Sequence, residues 1–144
     1  MSKKILYVTD FSQSSAHTFD EAVKLAKLTG SDLVIAHVLH FPPMVGSAFL
    51  PNVEETETAM KEWCTHRLDQ LAANARTAGL TAEAVLREGP VVHAGILAIA
   101  EEVGASMIVL GTHGHTGFSN RVIGSVAARV LTEAICPVVT VRSQ

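Results

Sequence analysis

The sequence predicts a single α/β domain built on a doubly wound, five-stranded parallel sheet with helices on both faces. Two observations favour this fold class: short runs rich in apolar residues alternate with longer segments of helical period, and glycines follow the helical segments. The 144 residues are enough for one domain with a sizeable core, and two domains would not fit comfortably. We therefore expect residues 1–144 to form one domain.

The predicted strands differ in how deeply they are buried. Four of them are nearly continuous apolar runs, which is typical of strands covered on both faces of a parallel sheet. The remaining run alternates polar residues with Ala82, Ala84 and Leu86, as expected of an edge strand. In chain order the strands are Lys4 to Val8, Leu33 to Val38, Thr81 to Arg87, Met107 to Leu110 and Val138 to Val141.

Four helical segments separate these strands, and each has an apolar stripe that would cover one side of the sheet. Gly30, Gly79 and Gly104 follow the first three segments, where a helix end favours a left-handed residue. The stripes are Ala16, Phe19, Val23 and Ala26; Met60, Cys64, Leu68, Leu71 and Ala75; Val92, Ile96, Ile99 and Val103; and Val126, Val130 and Ala134.

The loops that follow three of the strands form the predicted ligand-binding region. In a doubly wound sheet, ligands lie outside the carboxyl ends of the strands, where the strand order reverses. We therefore expect a site in the loops after Thr9, Val38 and Leu110. The irregular segment from His40 to Pro51 is expected to form a loop or lid over one edge of the sheet.

Composition and charge argue against several classes of protein. The chain has eleven Lys and Arg and fourteen Asp and Glu, which gives a net charge of -3. Its basic residues are scattered along the sequence, which argues against nucleic-acid binding. The apolar run after Lys4 is too short for a signal peptide, and no stretch approaches the roughly 18 apolar residues of a spanning helix. Cys64 and Cys136 have no zinc or disulfide spacing. We expect a soluble, cytoplasmic protein without membrane insertion.

The segment after the fourth strand has the composition of a phosphate-binding loop. Glycines let backbone N–H groups approach a ligand closely, and Ser125 adds a hydroxyl near the start of a helix. The glycines are Gly111, Gly114, Gly117 and Gly124. The segment lacks the Gly-Lys-Ser/Thr of a P-loop, and its spacing differs from the GxGxxG of dinucleotide-binding domains.

The spacing that the loop does follow is G-2x-G-9x-G-(S/T), carried by Gly111, Gly114, Gly124 and Ser125. With four flanking motifs in the same order, this pattern resembles the ATP-binding branch of the universal stress protein family. The flanking motifs are Ile5 to Ser12, His37 with Val38, Arg87 to Pro90, and Cys136 to Arg142. The resemblance implies the adenine nucleotide alpha hydrolase-like variant of the Rossmann-like fold.

The resemblance also implies a site for ATP, or another adenine nucleotide, with Mg²⁺. Asp10 would face ribose hydroxyls or the base amine, Val38 would contact the adenine, and Arg121 would reach the phosphate tail. The implied binding residues are Thr9, Asp10, Val38, Leu110, Gly111, Gly114, Arg121, Gly124, Ser125 and Val126. We assign no catalytic residue and no metal-ligating side chain from the sequence.

Simpler interpretations of the same residues stay open at this point. The glycines would also suit a tight strand-to-helix connection, and Ser125 would suit a helix start. Asp10 would serve as a cap for a helix beginning near Ser12. The histidines of the loop, His113 and His115, have no recognisable metal partners and are interpreted as solvated.

The function implied by the resemblance is that of a nucleotide-responsive regulator in the stress response, acting on an unidentified protein partner. The sequence shows no positioned base with the lysine and carboxylates that phosphoryl transfer uses, so we expect slow ATP hydrolysis at most. The alternative is a nucleotide-independent interaction module of the same fold. The family branch with that role lacks the glycine loop, whereas Gly111, Gly114 and Gly124 are intact here.

The last strand, Val138 to Val141, is expected to lie at an edge of the sheet. A bare apolar edge is prone to aggregation, and pairing with a symmetry mate removes it. Because the family commonly dimerises through this strand, the resemblance implies a homodimer.

Overall fold

Parallel strands and helices alternate along the chain in the computed structural model, which describes residues 2–41, 53–112 and 123–142. The strands are β1 Lys4–Val8, β2 Asp32–Leu39, β3 Ala82–Glu88, β4 Met107–Gly111 and β5 Val138–Val141. The helices are α1 Ser14–Thr29, α2 Val53–Thr77, α3 Val92–Val103 and α4 Ser125–Glu133. The predicted strands agree with these bounds to within one residue at each end.

The sheet has the strand order β3-β2-β1-β4-β5, and every pairing in it is parallel. The chain moves outward from β1 through β2 to β3 and then crosses back to β4, so the order reverses between β1 and β4. This arrangement confirms the predicted doubly wound fold. Within the described residues β3 and β5 are the edge strands, as their sequences predict.

Two apolar layers hold the helices against the sheet. On one face Ile5 and Tyr7 of β1 pack with Phe19 of α1 and Leu68 of α2. On the other face Leu6 of β1 packs with α3 and α4. Because consecutive side chains of a strand point to opposite faces, one continuous apolar run in β1 serves both layers. The carboxyl ends of the strands are thereby held in fixed positions.

The buried stripe of α1 differs from the prediction. Ala16 is exposed and Val23 is only partly buried, whereas Thr18 and Ala22 are buried together with Phe19 and Ala26. A pattern based on apolar residues alone misses Thr18, whose hydroxyl is satisfied by donating to the Ser14 carbonyl oxygen at 3.5 Å.

The prediction for Met60 in α2 is also wrong, because its side chain is 42% exposed. A helix of 25 residues is roughly 37 Å long, whereas the seven residues of β3 span roughly 23 Å. One end of α2 therefore extends beyond the sheet. Cys64, Leu68 and Ala75 are buried, so the end that extends is the one that contains Met60.

Glycines end two of the helices as predicted. Gly30 and Gly104 have φ values of 64° and 66°, and their N–H groups donate to carbonyl oxygens of the last turns of α1 and α3. This left-handed conformation is strained for residues with a Cβ atom. Each glycine turns the chain directly into the next strand. None of the described helices has the length and apolar character needed to cross a membrane.

Candidate functional site

A cavity of about 460 Å³ lies at the carboxyl ends of β1, β2 and β4, beside the point where the strand order reverses. The first turns of α1, α3 and α4 complete its wall. The structure brings eight of the ten predicted site residues to this wall: Thr9, Asp10, Val38, Leu110, Gly111, Gly124, Ser125 and Val126. The other two, Gly114 and Arg121, lie outside the described residues, as do residues 42–51 of the predicted lid.

The turn from Thr9 to Ser12 connects β1 to α1 and is ordered by its own side chains. The buried Thr9 hydroxyl accepts a hydrogen bond from the N–H of Phe11 at 3.0 Å. Asp10 Oδ1 accepts one from the N–H of Ser12 at 2.9 Å. Between these two residues Phe11 has a φ of 63°, which is rare for a bulky side chain.

Asp10 lies too far before α1 to cap it. The helix begins at Ser14, and its N-cap residue is Gln13, which makes no side-chain capping hydrogen bond. The Asp10 carboxylate bonds an N–H that lies two residues before the helix. Asp10 therefore orders the turn at the cavity wall rather than the first turn of α1.

His37 ties the ends of β1 and β2 together at the cavity. Its Nδ1 lies 2.7 Å from the Thr9 carbonyl oxygen, and the Thr9 N–H donates to the Ala36 carbonyl oxygen at 2.9 Å. Because a carbonyl oxygen can only accept, Nδ1 must carry the proton of this hydrogen bond. The imidazole is thereby fixed as part of the wall.

One side of the cavity is apolar. Val38 and Leu110 come from the ends of β2 and β4, and Val92 and Ile96 come from the first turns of α3. At Gly95 the helix approaches β2 so closely that a Cβ atom would lie 2.8 Å and 3.0 Å from the two methyl carbons of Val38. Such distances require displacement of the valine, so the missing side chain at Gly95 sets where Val38 sits.

Another part of the cavity wall is the N-terminus of α4. Gly124 is its N-cap residue, no side chain caps the helix, and Ser125, Val126 and Ala127 line the cavity. The first N–H groups of a helix have no partner inside the helix and carry a partial positive charge. A helix start of this kind is suited to bind an anion.

The base of the glycine loop is closed by backbone hydrogen bonds. The N–H of Gly124 donates to the Thr112 carbonyl oxygen at 2.6 Å, and the N–H of Thr112 donates to the Val141 carbonyl oxygen at 3.0 Å. Thr112, which follows β4, is therefore joined directly to Gly124, the N-cap residue of α4, beside the cavity.

Sequence reasoning missed the hydroxyl groups at the start of α1 and in the turn before it. Ser12, Ser14, Ser15 and Thr18 all line the cavity, and the hydroxyl oxygens of Ser12 and Ser14 lie 3.1 Å apart. The signal was present, because serines directly follow Asp10 and residues 14 and 18 share a helix face. Val92 and Ile96 were likewise not assigned to the site, since their approach to the cavity depends on the packing of α3, and His40, which follows β2, was not assigned either.

Tyr7 anchors the start of α1 behind the cavity. Its side chain is fully buried, and its hydroxyl donates to the Ser15 carbonyl oxygen at 2.9 Å. Burial raises the pKa of Tyr7 to about 12, because the phenolate would lose its hydration. The hydroxyl is therefore a fixed donor that holds Ser15 and its neighbours against β1.

No three His, Cys, Asp or Glu side chains converge within residues 2–41, 53–112 and 123–142. The polar groups of the cavity wall are mainly hydroxyls, the Asp10 carboxylate and backbone N–H groups. Together with the apolar side, this set suits a ligand that has a flat apolar part, hydroxyls and an anionic part.

Comparisons with known proteins match the whole of this architecture. The model of the universal stress protein family matches residues 1–142. The universal stress protein YxiE of Bacillus subtilis is 32% identical over 149 residues, covering 99% of this chain and 100% of the relative. The crystal structure of a universal stress family protein from Burkholderia pseudomallei is 30% identical, with a TM-score of 0.75 and coverage of 98% and 96%.

Two further solved structures of the same fold are described as nucleotide complexes. A universal stress protein from Archaeoglobus fulgidus was solved in complex with dAMP; it is 24% identical, with a TM-score of 0.65 and coverage of 97% of each chain. Another universal stress protein was solved in complex with cAMP, at 23% identity, a TM-score of 0.71 and coverage of 99% and 98%. At this identity the likeness shows the fold alone.

Proposed function

The chain belongs to the universal stress protein family, and we propose that it binds an adenine nucleotide, ATP with Mg²⁺, in the cavity at the carboxyl ends of β1, β2 and β4. The observation that carries this proposal is the pairing within one cavity of an apolar side with a helix N-terminus. A nucleotide needs both, because its base is apolar and flat while its phosphates are anionic. Relatives of the same fold that hold dAMP and cAMP support the choice of adenine.

The base and ribose are assigned to the side formed by β1, β2 and α3. Val38 and Leu110 would contact the adenine, with Val92 and Ile96 closing the slot from α3. Asp10 would accept hydrogen bonds from the ribose hydroxyls, since a carboxylate is a strong acceptor and is repelled by phosphate. Its ordered turn holds the carboxylate at the rim before the ligand arrives.

The phosphates are assigned to the start of α4 and the glycine loop. The N–H groups of Ser125, Val126 and Ala127 and the Ser125 hydroxyl would donate to phosphate oxygens. Gly114 and Arg121 belong to the same assignment through the loop that Thr112 and Gly124 close at its base. Arg121 would add a positive charge at the end of the phosphate tail.

Mg²⁺ would enter with the phosphates. This ion is normally held by phosphate oxygens, several waters and one or two carboxylates rather than by a cage of protein ligands. The start of α4 fits that mode, because it offers the Ser125 hydroxyl and backbone N–H groups to the phosphates and leaves the ion to phosphate oxygens and water. When bound, the ion would neutralise part of the phosphate charge.

The proposed biological role is that of a cytoplasmic, nucleotide-responsive regulator in the stress response. Occupancy of the cavity would change which protein partner the chain binds. We assign the homodimer interface to β5, which is an edge strand in the described part of the sheet. Slow hydrolysis of ATP is compatible with this role but is not required by it.

Asp10→Asn tests the proposed site, because the asparagine oxygen can still accept the Ser12 N–H while the charge is lost. We expect the affinity for Mg²⁺-ATP to fall about tenfold, as two charge-assisted hydrogen bonds become neutral ones. The affinity is read from ligand-dependent thermal shifts of nucleotide-stripped protein, with AMP, cAMP and GTP beside ATP. Asp20→Asn, an exposed residue of α1, is the matched control and should bind as the unmodified protein does.

An unchanged affinity in Asp10→Asn would remove Asp10 from the site. Equal shifts with GTP and ATP would refute the preference for adenine. The absence of any shift in the unmodified protein would refute nucleotide binding and favour the nucleotide-independent interaction module.

A further inference from the structure

Four side chains from three segments pack together, beginning at the cavity wall and extending behind it. We call them the Phe11 cluster, and they are Phe11, His37, Trp63 and Arg67. The Phe11 ring lies 4.5 Å from the His37 ring and 5.2 Å from the Trp63 ring, measured between centroids. The Arg67 guanidinium carbon lies 5.5 Å from the Phe11 centroid and 5.3 Å from the Trp63 centroid. Phe11 is therefore the residue that connects the other three.

The backbone of Phe11 is held in an unusual conformation at this place. Its φ of 63° lies in the left-handed region, which a bulky residue adopts only when its surroundings enforce it. The neighbours on both sides, Asp10 and Ser12, line the cavity. The contacts of the Phe11 ring therefore act directly on the turn that carries the Asp10 carboxylate.

The cluster also extends from the cavity to the surface of the molecule. His37 lines the cavity and bonds the Thr9 carbonyl oxygen, whereas Trp63 lies on α2 and is 47% exposed. The Phe11 and Trp63 rings meet edge to face at 81°, an arrangement that depends on their relative orientation. A displacement of the Thr9 to Ser12 turn would therefore alter the packing of Trp63.

We propose that Phe11 is a positioning residue that holds Asp10 toward the ligand and transmits occupancy of the cavity to Trp63 on the outer face of α2. This inference rests on the proposed nucleotide site and concerns how occupancy of that site changes the surface of the protein. A nucleotide bound to Asp10 would contact the Thr9 to Ser12 turn, and it would lie beside His37, whose ring packs on Phe11. The exposed face of α2 around Trp63 then differs between the empty and the occupied protein.

The test uses Trp63 as a reporter, because it is the sole tryptophan of the chain. Mg²⁺-ATP is titrated into nucleotide-stripped protein, and tryptophan emission and calorimetric heat are recorded in parallel. Trp63 does not belong to the cavity wall described above, so its emission reports contact through the protein. We expect the emission to change with the same midpoint as the heat.

Three variants separate coupling from binding. Phe11→Gly removes both the ring and the strain of its left-handed conformation, so the melting temperature should change little. The emission of Trp63 should no longer change with Mg²⁺-ATP, and the affinity for Mg²⁺-ATP should fall about tenfold. Phe11→Tyr keeps the aromatic ring, so it should show the emission response and the affinity of the unmodified protein. Met60→Ala, exposed on α2 one turn before Trp63, is the matched control and should respond as the unmodified protein does.

Each contrary outcome points to a different error. Binding heat without an emission change would overturn the coupling while leaving the nucleotide site intact. A response in Phe11→Gly equal to that of the unmodified protein, or its loss in Met60→Ala, would overturn the role of Phe11. No heat in the unmodified protein would overturn the nucleotide site and this inference together.

Discussion

At Gly95 the local preference of a residue and the tertiary packing around it oppose each other. Glycine inside a helix is less favourable than alanine by about 1 kcal/mol, so Gly95→Ala in α3 should stabilise an isolated helix. In the folded protein the new Cβ would meet the Val38 methyl groups at 2.8 Å and 3.0 Å. Overpacking a core costs roughly 1 to 3 kcal/mol, which equals or exceeds the gain in helix propensity. The packing term therefore determines the sign of the change in stability.

We therefore expect Gly95→Ala to lower the free energy of unfolding by about 1 kcal/mol, measured by urea denaturation. In a Val38→Ala background, which removes the clashing methyl groups, the same change should be neutral or stabilising. Gly89→Ala is the control, because no atom lies within 4 Å of its added Cβ. Additive effects of the Gly95 and Val38 changes would show that the two residues do not compete for space.

Tyr7 gives the protein a defined sensitivity to alkaline pH. Its pKa is raised by burial to about 12, so the folded state favours the neutral phenol. The resulting stability is fully present below the unfolded pKa of 10 and is lost as the pH rises toward about 12. The full loss corresponds to roughly 2 to 3 kcal/mol.

Tyr7→Phe should cost about 1 kcal/mol at neutral pH, since the hydrogen bond to the Ser15 carbonyl oxygen is lost. Above pH 10 its disadvantage should shrink and then reverse, because phenylalanine does not ionise. Urea denaturation of both proteins at a series of pH values measures this difference. A difference that stays constant from neutral to alkaline pH would contradict the burial of a neutral Tyr7 hydroxyl.

Individual elements show why the fold was predictable while parts of the site were not. The strand β1 reads as Ile5, Leu6, Tyr7 and Val8, and an apolar run of this kind needs both faces covered. The glycines after α1 and α3 mark helix ends through backbone conformation alone. These signals are local, so the chain reveals them without knowledge of its neighbours.

The helices α1 and α2 mark the limit of such local signals. The buried Thr18 and the exposed Met60 depend on where each helix lies relative to the sheet. The same is true of the Phe11 cluster, which joins three distant segments of the chain, and of the close approach of α3 at Gly95. The loops at the ends of β1, β2 and β4 follow from the predicted topology, and the resemblance implies the individual residues in them, whereas the contribution of α3 to the wall emerges only from the structure.

The strand β5 carries the proposed dimer interface. Its outer edge is unpaired within the described sheet, and Val138, Val139 and Thr140 are only partly buried. Val139→Lys places a charge on this edge and should shift the protein from dimer toward monomer, as measured by light scattering. An unchanged dimer mass in the variant would exclude β5 as the interface.

For the whole molecule, topology explains why one cavity gathers residues from so many segments. The reversal of strand order between β1 and β4 leaves a gap at their carboxyl ends, and the helices that follow these strands start there. An acidic turn after β1, an apolar slot beside α3 and the N-terminus of α4 therefore meet in one place. The proposed nucleotide would contact all three and so join both halves of the sheet.

The most direct test of this proposal is a calorimetric titration of Mg²⁺-ATP into nucleotide-stripped protein and into the Gly114→Val variant. We expect micromolar binding by the unmodified protein and its loss in the variant, because a valine in the glycine loop would keep the phosphates from the backbone N–H groups. A melting temperature that rises with ATP in the unmodified protein alone would agree with this result. No heat and no change in melting temperature with either protein would contradict nucleotide binding as the function of the cavity.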